Sequence, residues 1–157
     1  PAVTDQSFDV AADGYTRVAA LPHRVEHLHE GEVEAREQAW GVSLPETYKK
    51  LVASFQGMTP VPNIFNIGSK SENVFSELLT VTLDEERAGY FALRVYEVLK
   101  PHIPSGIFPF GSTPGGERLC FDYRADPSRP QIVLASVECD LYPVAASFEG
   151  FLAGLHD

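Results

Sequence analysis

The stretch IFPFGSTPGGERLCFDYR, residues Ile107–Arg124, decides the fold because it joins two β-prone segments through a glycine-rich turn. In its second half the apolar residues Leu119, Phe121 and Tyr123 alternate with other residues, which is the period of a β-strand. The alternating positions are Arg118, Cys120 and Asp122. The stretch therefore predicts two strands joined by a turn.

A glycine-rich loop can also bind phosphate, but the surrounding residues argue against that function here. The segment GSTPGGE, residues 111–117, lacks the lysine of a Walker loop and leads into a strand, whereas a phosphate site usually opens a helix. We therefore predict that Gly111, Gly115 and Gly116 occupy positive-φ or tight-turn positions and that Pro114 fixes the turn.

Two helices are predicted before this stretch. The charged run 23–41 is rich in Glu, Arg and Ala, and Trp40 is its expected anchor in the core. In the next helix Ser43 and Glu46 form a capping-box pattern, and Gly57 is the expected end.

Two further helices flank the strands. Thr82 and Glu85 form a second capping-box pattern, and the residues that follow predict one helix up to Leu99, before Pro101. The apolar stripe of this helix consists of Ala88, Phe91, Ala92, Val95 and Leu99. Ser147 is the expected cap of a closing helix, whose apolar face is formed by Phe148, Phe151, Leu152 and Leu155.

The order of these elements predicts the fold class. Short β-prone pieces lie between residues 59 and 81, and strands are predicted in IFPFG, ERLCFDY and QIVLAS. Helices, then strands, then a closing helix indicate an α+β fold with a mainly antiparallel sheet packed with helices. With 157 residues, of which 44% are hydrophobic, the chain is expected to form a single domain.

Composition narrows the class of partner. The formal net charge is −10, from 22 acidic residues against 12 Lys and Arg, which argues against nucleic acid because phosphate binding needs clustered basic residues. A basic protein partner would instead be attracted. The sequence has no run long enough to span a membrane and does not begin with an apolar leader, so a cytoplasmic protein is expected.

The two cysteines, Cys120 and Cys139, form no CxxC pattern and no metal framework. Two thiols in a chain of this length favour a reducing compartment. We expect both to be small apolar residues, half buried in a sheet, rather than a disulfide.

A metal site on the first helix is the less favoured of two interpretations. Residues four apart share a helix face, so His23 and His27 could hold a metal together with nearby Glu26 and Glu30. However, His29 falls off that face and no distant half-site completes the ligand set. A solvated charged helix is the stronger interpretation, and neither a metal nor a cofactor is predicted.

Catalysis is also not predicted. A triad can be assembled on paper from Ser112 or Ser136 with His102 and Asp122, but the sequence has no G-x-S-x-G nucleophile elbow. Asp122 is expected to have a structural role, either by accepting backbone N–H groups or by pairing with Arg124.

Three blocks of the sequence resemble the SUKH superfamily, which groups a fungal cell-wall synthesis regulator with many bacterial immunity proteins. The blocks are EAREQAWGVSLP (34–45), IFPFGSTPGGERLCFDYR (107–124) and VAASFEGFLAGL (144–155). The resemblance covers a core of about 33–155 and leaves 1–30 as an N-terminal extension. The family commonly has Leu-Gly and Asn-Gly where this chain has Trp40-Gly41 and Gln56-Gly57, substitutions that leave the predicted fold intact.

The resemblance implies a noncatalytic protein that binds and neutralises a cognate bacterial toxin. An acidic surface is what a basic nuclease-type toxin would select. The alternative is a regulatory or scaffold module that binds an endogenous protein, as in the fungal relatives. An enzyme is third.

Three acidic regions are the candidate partner-binding surfaces. The first is the helical run, the second is the glycine turn, and the third lies between the last strand and the closing helix. In sequence order the candidates are Glu26, Glu30, Glu32, Glu34, Glu37, Ser112, Glu117, Glu138 and Asp140.

Overall fold

The strands predicted around the glycine turn lie at the centre of the protein. The computed structural model describes residues 7–9, 31–68, 71–82 and 91–157. The helices are α1 (Glu32–Trp40), α2 (Glu46–Phe55), α3 (Ala92–Leu99) and α4 (Phe148–Ala153), with a short 3₁₀ helix at Lys100–His102. The strands are β1 (Ser7–Asp9), β2 (Thr59–Val61), β3 (Ile64–Ile67), β4 (Ser71–Val74), β5 (Glu77–Leu78), β6 (Ile107–Ser112), β7 (Arg118–Asp122), β8 (Gln131–Ala135) and β9 (Leu141–Ala145).

The main sheet has five antiparallel strands in the order β5-β6-β7-β8-β9. Its central register pairs Phe108 with Phe121 and Phe121 with Ile132. Two small sheets accompany it, a parallel pair of β1 with β2 and an antiparallel pair of β3 with β4. The α+β class with a mainly antiparallel sheet is therefore confirmed.

Aromatic rings tie the helices to this sheet. Phe110 stacks on Phe121 with ring centroids 4.5 Å apart, and Tyr48 of α2 and Phe148 of α4 meet Phe121 edge-on at 5.0 and 5.6 Å. Such pairs add about 0.5–1.5 kcal/mol each beyond the area they bury. Trp40 of α1 is buried, as predicted, and its ring stacks on Phe108 of β6 at 4.8 Å.

Strand β7 is more deeply buried than its alternating sequence indicates. Leu119 and Phe121 lie in the core as expected, but Cys120 on the opposite face is also fully buried. Cys120 was expected to be half buried in a sheet, and the structure corrects this to full burial because both faces of β7 are covered.

The capping box predicted at Ser43 is not formed. Helix α2 begins at Glu46 and its N-cap is Pro45, which has an extended backbone with ψ 139°. Before the helix, the backbone N–H of Leu44 donates a hydrogen bond to the carboxylate of Glu37 at 2.7 Å. The helix ends at Phe55, two residues before the predicted Gly57.

The helix predicted from Thr82 to Leu99 is not continuous. Phe91 is extended and forms a parallel β-bridge with Thr80, and α3 begins only at Ala92. Ala92, Val95 and Leu99 are buried, which confirms that part of the predicted stripe. Glu85 and Ala88 lie outside the described residues.

The three glycines of the opening stretch have different roles. Gly116 has the predicted positive φ, 86°, in the β6–β7 turn, and Gly115 lies beside it in the turn. Gly111 does not belong to the turn, because it lies within β6 next to an irregularity in the pairing between Pro109 and Gly111. Glycine is required at position 111 because the ring of Phe75 leaves no room there for a β-carbon.

The closing helix agrees with its sequence pattern. Ser147 is the N-cap of α4, and its hydroxyl oxygen accepts a hydrogen bond from the backbone N–H of Gly150 at 3.0 Å. The predicted apolar face is buried throughout, at Phe148, Phe151, Leu152 and Leu155.

Candidate partner-binding surfaces

The antiparallel connections separate the candidate residues into two regions at opposite ends of the main sheet. The β6–β7 turn (113–117) and the β8–β9 turn (136–140) lie at one end, which we call the turn end. The β7–β8 loop (123–130) lies at the other, which we call the loop end. Helix α1 borders the loop end, since Glu34 and Gly41 line a cleft there with Pro127.

The acidic residues of α1 do not form one free surface. Glu34 is exposed. Glu32 accepts a hydrogen bond from the Thr82 hydroxyl at 2.6 Å, and Glu37 accepts hydrogen bonds from the backbone of Leu44 at 2.7 Å and from Lys49 Nζ at 3.0 Å. Glu32 and Glu37 therefore hold α1 against neighbouring elements, which leaves Glu34 as the more accessible of these acids.

Two members of the predicted acidic run cannot be placed. Glu26 and Glu30 lie outside the described residues, as do His23, His27 and His29 of the less favoured metal site. Among the residues that the structure does describe, there is no group of three His, Cys, Asp or Glu side chains positioned to hold a metal ion.

The glycine turn presents fewer side chains than its sequence indicates. Ser112 is buried in β6, and its carbonyl accepts hydrogen bonds from the backbone and hydroxyl of Ser76 at 2.8 and 2.9 Å. Glu117 is half-buried, and its backbone N–H donates to the Thr113 hydroxyl at 3.1 Å. The exposed tip is formed by residues 114–116.

The β8–β9 turn carries the remaining two candidates at the same end. Glu138 and Asp140 are exposed, and the turn is closed by Ser136, whose hydroxyl accepts from the backbone N–H of Asp140 at 3.0 Å. Cys139 adopts a left-handed backbone with φ 67° in this turn. Two of the three predicted acidic regions are therefore neighbours at the turn end.

A groove of about 430 Å³ lies between α3 and the turn end. Its helical wall includes Val98 and its sheet wall includes Val137, and neither was singled out from the sequence. One signal for Val98 is present in the sequence, because it falls off the buried stripe of Val95 and Leu99 and is thus an apolar residue on the outer face of the helix. An isolated valine in a turn, such as Val137, carries no comparable signal.

The structural role predicted for Asp122 is confirmed. Its carboxylate accepts hydrogen bonds from the backbone N–H and Nε of Arg124, both at 3.0 Å, and from Nη2 at 2.9 Å. Burial raises the pKa of Asp122, but the hydrogen bonds and charge of Arg124 outweigh that effect and hold the pKa below its usual value. This carboxylate fixes the start of the β7–β8 loop.

The two serines of the catalytic triad considered in the sequence are hydrogen-bonded to other residues. The Ser136 hydroxyl binds the backbone of Asp140, and Ser112 is within 3.4 Å of the Ser76 hydroxyl. His102 is exposed on the 3₁₀ helix. The hydrogen bonds of the two serines therefore serve local structure.

Both cysteines are free thiols. Cys120 is fully buried, and burial raises the pKa of its thiol. Cys139 is partly exposed in the β8–β9 turn, not in a strand as predicted, and it lines the groove. None of the helices in the described parts of the chain has the length and apolar character needed to span a membrane.

Comparison with known protein families assigns the chain to one of them. The family model described as SMI1 / KNR4 family (SUKH-1) matches residues 27–154. Because this match spans most of the 157 residues, the chain belongs to the SUKH-1 family, and the resemblance seen in the sequence is confirmed. A search of curated proteins found no match. Members of this family are generally noncatalytic, and the family suggests protein–protein interaction. Membership therefore supports a function of the immunity or SMI1/KNR4 type.

Proposed function

We propose that the protein is a noncatalytic immunity protein, which binds a cognate bacterial toxin domain in the cytoplasm and neutralises it by occlusion. The observation that carries the proposal is membership of the SUKH-1 family over residues 27–154. In this proposal the chain acts as a single SUKH-like domain, and its function lies in its surface chemistry, because a shared fold alone does not name a partner.

Charge supports a basic partner, such as a nuclease-type toxin. The net charge is −10, and exposed acids occur at both ends of the sheet, with Glu34 at the loop end and Glu138 and Asp140 at the turn end. Complementary charge accelerates association and suppresses wrong partners. A basic domain approaching either end would meet exposed carboxylates.

Co-expression tests the proposal directly. The protein is expressed with toxin domains encoded beside its gene, and survival of the cells is scored. We expect rescue from one toxin, and we expect slower association when an exposed candidate acid is reversed, as in Glu34→Lys or Glu138→Lys. Glu72→Lys, at an exposed position of the small β3–β4 sheet, is the matched control. Loss of toxicity without complex formation, or no rescue from any neighbouring toxin, would contradict the proposal.

A regulatory or scaffold module is the second candidate. The observation that favours it is the description of the matching family, which is SMI1 / KNR4. In that case the partner is an endogenous protein and no toxin gene is expected beside the gene of this protein. Deletion in the source cell separates the two, since loss of an immunity protein is harmful only where the toxin is present.

A further inference from the structure

The groove at the turn end combines aliphatic surface with positive charge. On its helical wall Val98 is 69% exposed, and Arg94 and His102 beside it are also exposed. On its sheet wall Val137 is 66% exposed and lies near Arg118. This chemistry differs from the acidic character of the chain as a whole.

The two valines are the first argument for an occupant. They are the most exposed large apolar side chains among the described residues, and they line opposite walls of one groove. Single exposed apolar residues are ordinary, but exposed apolar residues grouped around a cleft mark an interaction site. The volume of about 430 Å³ falls in the range of pockets that enclose a small ligand or a side chain.

Charge is the second argument, and it defines the chemistry of the occupant. The lining includes the exposed guanidinium of Arg94, together with Arg118 and the His102 ring, but none of the described acidic residues. In a chain with a net charge of −10, such a lining is complementary to a carboxylate. The acids at the turn end, Glu138 and Asp140, are exposed neighbours of the lining and lie outside it.

We propose that this groove is the docking site for a partner segment in which an aliphatic side chain adjoins an Asp or Glu. The aliphatic side chain lies between Val98 and Val137, and the carboxylate pairs with Arg94. Glu138 and Asp140 then face basic residues that flank the segment. This inference rests on the proposed function, because it specifies which element of a basic protein partner the domain grips.

Peptide selection tests the charge complementarity. Random twelve-residue peptides are selected by display on the immobilised full chain, and affinities of the enriched peptides are measured. We expect them to share an aliphatic residue beside Asp or Glu and to bind Arg94→Glu at least tenfold more weakly. Arg129→Glu makes the same charge change at the exposed loop end and should leave binding unchanged. Enrichment of peptides without an acid, or equal loss in both variants, overturns the proposal.

The aliphatic contact is tested separately. Val98→Ser and Val137→Ser should each weaken binding of the selected peptides about tenfold, since burial of an aliphatic side chain contributes on that scale. Tyr142→Ser, which changes another exposed apolar residue outside the groove, is the matched control. Unaltered thermal unfolding confirms that these exposed substitutions leave the fold intact. Unchanged affinity in both valine variants overturns the proposal.

Thiol labelling reports the location of binding. A bound peptide should slow alkylation of Cys139, which lines the groove, while buried Cys120 provides an internal reference for the integrity of the fold. An unchanged Cys139 rate places the peptide elsewhere and overturns the proposal. A dimer that dissociates on Val98→Ser would assign the groove to a second copy of the chain, with the same consequence.

The toxin assay separates failure of this inference from failure of the proposed function. If rescue persists unchanged in Arg94→Glu and Val98→Ser, the groove is not the docking site although the protein still neutralises a toxin. If the wild-type chain rescues from no toxin, the proposed function fails, whereas peptide binding in the groove is decided by its own measurement.

Discussion

Gly111 lies so close to Phe75 that a β-carbon at position 111 would come within 2.7 Å of Phe75 Cε1. The Phe75 ring has little room to move away, because it is buried and packs against Phe110 and Phe151. Gly111→Ala should therefore lower the free energy of unfolding by about 1–3 kcal/mol, as overpacking of a core does. Urea unfolding measures the change.

A control for this prediction lies in the same segment. A β-carbon at Gly115 would meet no atom closer than 4.0 Å, so Gly115→Ala should change stability by no more than about 0.5 kcal/mol. Combining Gly111→Ala with Phe75→Leu should cost less than the sum of the single changes, because the ring that causes the clash is removed. Strict additivity would show that the contact with Phe75 is not the cause.

Glu37 should behave as a structural residue although it belongs to an acidic run. Glu37→Ala removes the acceptor for the backbone N–H of Leu44 and the partner of Lys49, so we expect a loss of about 1–2 kcal/mol of stability. Glu34→Ala, three residues earlier on an exposed position, is expected to be neutral. Equal thermal shifts in the two variants would contradict this difference.

Asp122 should make stability depend on pH in the acid range. Its pKa is lowered in the folded protein relative to about 3.9 in the unfolded chain, so its contribution is fully present above that value. The contribution is lost as pH falls through the folded pKa. Asp122→Asn should be less stable at neutral pH and lose less stability on acidification, as measured by unfolding at a series of pH values. Asp140→Asn controls for the change in net charge, and parallel acid limbs in wild type and Asp122→Asn would exclude this role.

Two serines with similar sequence contexts should differ in their effect on stability. Ser147→Ala removes the cap of α4 and should cost about 1 kcal/mol. Ser43→Ala should cost little, because Ser43 makes no cap and its backbone carbonyl, which accepts from the Tyr123 hydroxyl at 2.7 Å, is unaffected by the change. Chemical denaturation of both variants checks the difference, and a larger loss for Ser43→Ala would contradict the assignment of Pro45 as the cap.

Local signals predicted the elements whose formation depends on neighbours in the sequence. Ser147 caps α4 because the serine and the N–H it binds are three residues apart. The pattern at Ser43 fails because the backbone is still extended at Pro45, so α2 begins at Glu46 and Ser43 lies before its first turn. The long helix before Leu99 fails because Phe91 pairs with Thr80, and a sequence pattern does not reveal such a pairing.

The candidate surfaces were only partly accessible to sequence reasoning for a similar reason. Charge identified Glu34, Glu138 and Asp140, which are exposed, but it also identified Glu37, whose carboxylate is engaged within the protein. Aliphatic residues such as Val137 look like core residues in a sequence, and only the fold shows which of them face water. Binding at any of these positions stays a prediction.

The turn end and the loop end are far enough apart for substitutions at one end to leave the other unaffected. Strands of five residues hold the two ends about 16 Å apart, beyond the range at which substitutions usually influence each other. Effects of Glu34→Lys and Glu138→Lys on folding stability should therefore add. Substitutions at one end can therefore adapt the protein to a changed partner without disturbing the contacts of the other end. The sheet separates two surfaces that can change in sequence independently of each other.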